Sequence, residues 1–332
     1  MRFLPSAKSM LSLLALLPLT SPVPKVSPPI EVRVWVENGP REACVDVLFV
    51  GDGYTKKQLS RAGKYWKDVN RCCESLFEEI PFSWYENLFN VRAAFLESNE
   101  KGCDKQNGVD EVDTALDSCF DTPSGRLLVF RNHEALKTVV KESGGADIVF
   151  VMVNTERYGG AGTTLEGLTI PGIYGPAPTF AAQDATSFLI AIHELGHSFG
   201  GLADEYVDDA LHSTFLLPRS DDADLEQPNV TLAKFVDPKD PTNPRFPLKW
   251  RHFLDLPGAN KYEWLHEGGF FRETGVFRPF AHCRMRTNAQ PFCPVCCETL
   301  AKTIVQTCGG VWDDAAYHKE HPLNRRTWSR AK

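Results

Sequence analysis

The chain lacks long hydrophobic runs and an excess of basic residues. Its most apolar stretch, residues 10–19, is about ten residues long, which is too short to cross a bilayer as a helix. The formal net charge is −7, from 36 basic and 43 acidic residues, whereas duplex nucleic-acid binders normally have a basic surface. Ten cysteines in 332 residues are too few for a small disulfide-dense scaffold. What is left is an ordinary globular composition, with 42% hydrophobic and 24% charged residues.

The N-terminus has the layout of a secretory signal peptide. Arg2 and Lys8 precede the apolar run, and a cleavage region lies between Thr20 and Lys25. We therefore predict that residues 1–24 are removed, and that the mature protein is secreted or extracytoplasmic and does not associate with the membrane. In an oxidising compartment, disulfides are the default state of cysteines.

Strand and helix patterns alternate along the chain, which predicts a layered α/β (α+β) fold. Apolar residues at steps of three and four between Leu59 and Ile80 predict a helix of about six turns. Short apolar or alternating runs predict strands at 31–36, 45–50, 88–96 and 147–153.

We find no clear linker after the signal peptide. Residues 25–332 are therefore expected to form one catalytic domain, with an N-terminal subdomain to about residue 200 and a loop-rich C-terminal subdomain after it.

The apolar pattern of residues 187–198 predicts a buried helix that contains the pentapeptide HELGH. His193 and His197 are one turn apart on one helical face, so both can bind one metal ion. Glu194 stands beside them, where it can accept a proton from a water activated by the metal. Burying these polar groups without a partner is costly, and zinc is the expected partner. The predicted reaction is hydrolysis of an amide bond.

A catalytic zinc usually has three protein ligands and one open position. Gly200 and Gly201 predict the end of the helix, because glycine adopts the left-handed conformation easily. In metzincin-like peptidases the third ligand follows such a glycine by three residues. Counting from Gly200 gives Ala203, which cannot bind a metal. Counting from Gly201 gives Asp204, which we predict as the third ligand, with Glu205 as the alternative.

The stretch HELGHSFGGLADEY, residues 193–206, resembles the signature of the immunoglobulin-A peptidase family of secreted zinc metallopeptidases. The resemblance spans about residues 37–308 and implies a metzincin-like zincin fold, with a mixed twisted sheet and a central active-site helix. An immunoglobulin substrate is not implied, because the signature does not specify a cleavage sequence. Shorter segments that resemble the family are 45–55, 112–116, 120–121, 126–128, 277–279, 283–285 and 292–296.

The resemblance also implies roles for residues outside the helix. Met285 would be the methionine-turn residue beneath the metal site. Arg278 and His282 would bind carboxylate or carbonyl groups of the substrate, or else belong to the surface. Tyr206 either donates a hydrogen bond to the oxyanion in the transition state or has a packing role.

The C-terminal cysteines and two acidic stretches are further candidates for metal binding. The cluster Cys293–Cys297, with Cys283 and Cys308, is either a structural zinc site or, as secretion favours, a set of disulfides. Cys103 and Cys119 form another plausible disulfide pair. Calcium binding is conceivable at the Asp-rich residues 102–121 and 221–240, but neither has EF-hand spacing. We expect solvated acidic surfaces there.

Together these patterns predict a monomeric, secreted endopeptidase with one catalytic Zn²⁺. His193, His197 and Asp204 would hold the metal, and Glu194 would act as general base. A protein or peptide substrate would extend along an edge strand near residues 159–170. Two alternatives are a zinc-containing binding protein without activity, and a zinc amidase acting on small peptides or peptidoglycan stems. The intact Glu194 argues against the first, and a narrow closed pocket would favour the second.

Overall fold

The structure is a computed structural model. It describes residues 30–60, 62–106, 110–121, 125–163, 177–209, 217, 223–243, 247–259 and 263–323. The predicted signal peptide, residues 1–24, lies outside these ranges. The described residues contain no helix that is long and apolar enough to cross a membrane.

The described elements alternate between strands and helices through residue 198, as the sequence pattern predicts. The strands are β1 (Glu31–Val36), β2 (Val45–Asp52), β3 (Phe89–Phe95), β4 (Ser118–Asp121), β5 (Leu127–Phe130), β6 (Ile148–Val153), β7 (Gly160–Thr163), β8 (Ala177–Ala181), β9 (Thr231–Leu232), β10 (His266–Gly269) and β11 (Arg272–Arg278). The α-helices are α1 (Lys64–Glu78), α2 (His133–Glu142), α3 (Ser187–Ser198), α4 (Pro294–Thr307) and α5 (Asp314–Glu320).

Six strands form a mixed sheet in the order β1-β3-β2-β6-β8-β7. The inner strands β3, β2, β6 and β8 run parallel, and β1 and β7 pair antiparallel at the two edges. The prediction of a mixed α/β fold is therefore confirmed. A three-stranded sheet (β10-β11-β9) and a hairpin (β4-β5) complete the strand pairing of the described residues.

The central sheet is covered on both faces, as its apolar strands require. Side chains of β2 alternate between the faces: Val47 and Phe49 join a core with α1, α3 and α4, whereas Leu48 and Val50 join one with α2. Helix α3, which carries the HELGH pentapeptide, therefore packs between the sheet and the C-terminal part of the chain.

Two details differ from the sequence-based expectations. Helix α1 begins at Lys64 rather than near Leu59, because a separate 3₁₀ turn, Lys56–Leu59, precedes it. Strand β4 lies at the end of the Asp-rich residues 102–121, for which the sequence pattern predicts no strand. Its register follows from pairing with β5, where Cys119 opposes Val129, and pairing between segments is not visible in a local pattern.

Candidate metal centre

The end of α3 sets the course of the chain past the histidines. Gly201 has a φ of 60°, a conformation that residues with a Cβ rarely adopt. The N–H of Leu202 then donates to the carbonyl of Gly196 at 3.0 Å, which closes the helix end. The predicted glycine stop is confirmed, and the turn leads residues 202–206 back along the helix.

Three potential ligand atoms meet beside this turn. The Nε2 atoms of His193 and His197 are 3.1 Å apart, and Oδ1 of Asp204 lies 3.0 Å from the first and 3.3 Å from the second. Nitrogen ligands on a tetrahedral zinc with bonds of about 2.0–2.1 Å are separated by roughly 3.3 Å. The observed separations therefore fit one shared ion.

The second nitrogen of each imidazole bonds to the backbone. Nδ1 of His193 donates to the carbonyl of Arg284 at 2.9 Å, and Nδ1 of His197 donates to the carbonyl of Leu202 at 2.7 Å. A carbonyl oxygen only accepts, so in a neutral ring the proton is on Nδ1 and the Nε2 lone pair is exposed to its neighbours. Two such lone pairs and a carboxylate oxygen repel one another unless positive charge lies between them, either a metal ion or a proton on one Nε2 atom. Metal-ligating histidines are usually held by hydrogen bonds of this kind.

Electrostatics within the group favour a charged Asp204. Burial by itself raises the pKa of that carboxyl, but hydrogen bonds from His193 and His197 outweigh it and hold the pKa well below its usual value. Burial likewise lowers the pKa of His197, whereas the hydrogen bond and charge of Asp204 raise it, to about 9 overall. Asp204 is therefore ionised at neutral pH, as a metal ligand must be.

Met285 lies directly beneath the ligand-bearing helix. It is fully buried, and a Cβ placed on Gly196 would come within 2.6 Å of its Sδ. Its carbonyl accepts the N–H of Glu205 at 2.7 Å, so the same segment also fixes the chain beside Asp204. The glycine of HELGH is thus required by packing against this methionine.

A cavity of about 320 Å³ adjoins His193. Glu194 is half-buried in its wall, one residue after a ligand histidine. The carboxylate lies close enough to affect the pKa values of both His197 and Tyr206. A substrate in the cavity would therefore meet Glu194 and His193 together.

Tyr206 lines the same cavity and packs edge-to-face on Phe271, with ring centroids 5.3 Å apart. Burial and the negative charges of Asp204 and Glu194 raise its pKa above the usual phenol value. The hydroxyl therefore keeps its proton at neutral pH and can donate a hydrogen bond. Packing and oxyanion binding are compatible for this residue.

Arg278 and His282, the other residues that the resemblance suggested, lie away from the cavity. Arg278 is buried in the β10–β11 hairpin and donates to the carbonyl of Glu267 at 2.9 Å, and His282 is exposed. Neither lines the cavity. Arg126 and Arg286 do line it, although sequence reasoning gave them no role. The position of Arg286 directly after Met285 was the available signal.

Glu205 faces away from the histidines. Its carboxylate is fully buried and lies with the thiols of Cys283, Cys293 and Cys296. All ten cysteines fall within the described ranges and are free thiols, so the expected disulfides are not supported.

A third group of potential ligands lies between α4 and α5. The Nε2 atoms of His252 and His318 are 2.9 and 3.0 Å from the two carboxylate oxygens of Glu298. Nε2 of His252 also lies 3.0 Å from Oε1 of Glu298, so both histidines approach the same oxygen. Neither ring nitrogen of His318 has a hydrogen-bond partner among the described residues. The side chain of His252 is 45% exposed, so this group is more open to solvent than the other two.

The HELGH helix, its three converging potential ligand atoms and the glutamate in the adjoining cavity are the arrangement typical of metallopeptidases. The chain belongs to the IgA Peptidase M64 family, whose sequence profile matches residues 34–259. It is therefore a peptidase that acts on protein or peptide substrates. A search of curated proteins finds no match. The matched residues include 193–206 and end before Cys283, so the C-terminal resemblance lies outside them.

Proposed function

We propose that the protein is a secreted zinc-dependent endopeptidase, in which His193, His197 and Asp204 hold the metal and Glu194 is the general base. The observation that carries this proposal is the convergence of the three ligand atoms within 3.3 Å beside a cavity that contains Glu194. Secretion rests on the basic and apolar pattern of the N-terminus.

A metzincin-like organisation is part of the proposal. The mixed sheet ends in an antiparallel edge strand, and the HELGH helix is followed by a glycine turn and a third ligand. Met285 then packs below the helix. These features support the assignment of residues 25–332 to one catalytic domain.

Glu194, Tyr206 and the histidines each have a specific role in the proposed reaction. A zinc ion at the histidines would lower the pKa of a water molecule to about 7 and polarise the substrate carbonyl. Glu194 would accept the proton of the attacking water and later deliver it to the leaving amine. Tyr206 would donate to the developing oxyanion, and the carbonyls of Leu202 and Arg284 would keep the imidazoles in the ligating tautomer.

The edge strand β7 gives an extended substrate a backbone to pair with. Gly160 lines the cavity, and its N–H points away from β8 and donates to the carbonyl of Arg126 at 3.2 Å. Backbone groups of alternate residues face the same side of a strand, so those of Gly162 also point outward. A peptide paired at Gly162 would lie two residues along β7 from Gly160, which lines the same cavity as Glu194. An edge strand leading into the cavity favours an endopeptidase over an amidase for small substrates.

Removal of metal should abolish activity reversibly. A zinc chelator is expected to stop cleavage of a mixture of intact proteins, and added Zn²⁺ should restore it, because the charge that activates the water is first removed and then supplied again. Mass spectrometry of the products measures this and shows whether internal bonds are cut. Full activity of chelated, zinc-free protein would contradict the proposal. Cleavage of short peptides alone would favour the amidase, and complete inertness the non-catalytic alternative.

Tyr206→Phe should reduce kcat by about 10²-fold, the usual effect of losing one oxyanion donor. KM should change little, because the ring still packs on Phe271. Steady-state kinetics on a single peptide measures both constants. Tyr158→Phe is the matched control, since Tyr158 lines the same cavity but is 43% exposed. A larger kcat loss in the control than in Tyr206→Phe would show that the donor was misassigned.

A further inference from the structure

A second group of potential ligand atoms lies around Glu205, whose side chain faces away from the histidines. Sγ of Cys296 is 3.6 Å from Sγ of Cys283, 3.5 Å from Sγ of Cys293 and 3.6 Å from Oε1 of Glu205. All four ligand atoms lie within 4.8 Å of one another. We infer that these four residues form a closed, structural zinc site, distinct from the catalytic centre.

The separations match those of a zinc–thiolate site. With Zn–S bonds of about 2.3 Å, two sulfurs on a tetrahedral zinc are roughly 3.8 Å apart. The spacing Cys293-x-x-Cys296 is also that of a zinc-binding pair, and it lies at the start of α4, where the helix dipole favours negative charge. Sulfur-rich tetrahedral sites select zinc or iron over calcium or magnesium.

Burial supplies an independent reason for a cation. The four side chains are between 0 and 3% exposed. Oε1 of Glu205 accepts a hydrogen bond from Asn229 at 2.9 Å, but Oε2 has no hydrogen-bond partner among the described residues. A buried carboxylate oxygen without a partner is costly, and a metal ligated by the carboxylate would offset that cost. One disulfide within the cluster would leave a thiol and this oxygen unsatisfied.

The site would tie together the two segments that position the catalytic centre. Glu205 follows Asp204 directly, and Cys283 precedes Arg284, whose carbonyl holds His193. The backbone bond from Glu205 N to Met285 O already links these segments. A metal bound to Glu205 and Cys283 would fix that link, so binding would stabilise the fold as well as the third-ligand loop.

Matched cysteine variants test the inference. Wild-type protein, purified without chelator, should contain two equivalents of zinc by elemental analysis. Cys296→Ser should contain one, whereas Cys297→Ser should retain two. Cys297 is the matched control because it lies next along α4 and is equally buried, but its thiol lies 3.6 Å from the carbonyl of Phe292, outside the cluster.

Cobalt substitution of the wild type gives a readout that needs no variant. Thiolate ligands produce a near-ultraviolet charge-transfer band with Co²⁺, and histidine and carboxylate ligands do not. The band should persist in His197→Ala, which empties only the other site. Wild-type protein that lacks peptidase activity but shows the band would refute the proposed function alone.

Three results would overturn the second site. They are one zinc in both wild type and Cys296→Ser, a cobalt derivative without the thiolate band, and a peptide map of unreduced protein with two of the three cysteines joined in a disulfide. A disulfide in the peptide map would restore the expectation that the cysteines of a secreted protein form disulfides.

Discussion

Glu194→Gln should lower kcat for peptide hydrolysis by roughly 10³-fold, within the range of about 10² to 10⁴ for general acid–base catalysis. The amide has the same shape as the carboxylate but cannot accept the proton of water. Glu194 is not among the converging ligand atoms, so zinc content should stay at the wild-type value. Kinetics on one peptide and elemental analysis of the same preparation measure the two effects.

The comparison with Glu134→Gln controls for the chemistry of the substitution. Glu134 lies on α2 with its side chain 81% exposed and pairs with Lys137 on the same helix, so its change should leave kcat within twofold, because single surface pairs contribute little. If Glu194→Gln kept the wild-type kcat with zinc bound, Glu194 would not be the base.

The catalytic helix could be predicted from sequence because its signals are local. The helical spacing, the apolar composition and the two glycines all lie within about fifteen residues. Helix α3 begins and ends where these signals indicate. The turn at Gly201 follows from backbone sterics. Placing Asp204 near the histidines required only this turn and a short count along the chain.

The direction of neighbouring side chains could not be predicted in the same way. Asp204 and Glu205 are equally plausible ligands by composition, and the choice depends on contacts with distant segments. The backbone N–H of Glu205 donates to the carbonyl of Met285, and the Glu205 carboxylate accepts a hydrogen bond from the side chain of Asn229. These partners are 80 and 24 residues away, beyond the reach of any helical or strand period.

The cysteine cluster is a second case in which contacts with distant residues could not be predicted from the sequence. Sequence alone left a zinc site and disulfides open, and the predicted compartment favoured disulfides. The structure adds an acidic residue from far upstream, at 3.6 Å from Cys296. A carboxylate has no place in a disulfide but is an ordinary zinc ligand, so the fourth member of the cluster changes its interpretation.

Asp204→Asn and Glu205→Gln should therefore affect different metals, although the two residues are adjacent. Asp204→Asn should weaken zinc binding at the histidines by more than the roughly 10- to 100-fold that follows loss of an outer hydrogen-bond partner, and should abolish activity. The cobalt–thiolate band should remain. Glu205→Gln should instead weaken metal binding at the cysteines, as seen in competition with a chelator.

Each variant serves as the control for the other, because both replace a carboxylate by its isosteric amide at neighbouring positions. Activity should fall less in Glu205→Gln, where the ligand atoms of the catalytic centre are intact but the loop that carries Asp204 is less firmly held. Loss of the histidine-bound metal in Glu205→Gln, with that metal retained in Asp204→Asn, would make Glu205 the third ligand. Since Oδ1 of Asp204 is 3.0 Å from His193 and the Glu205 carboxylate lies among the thiols, we expect the opposite result.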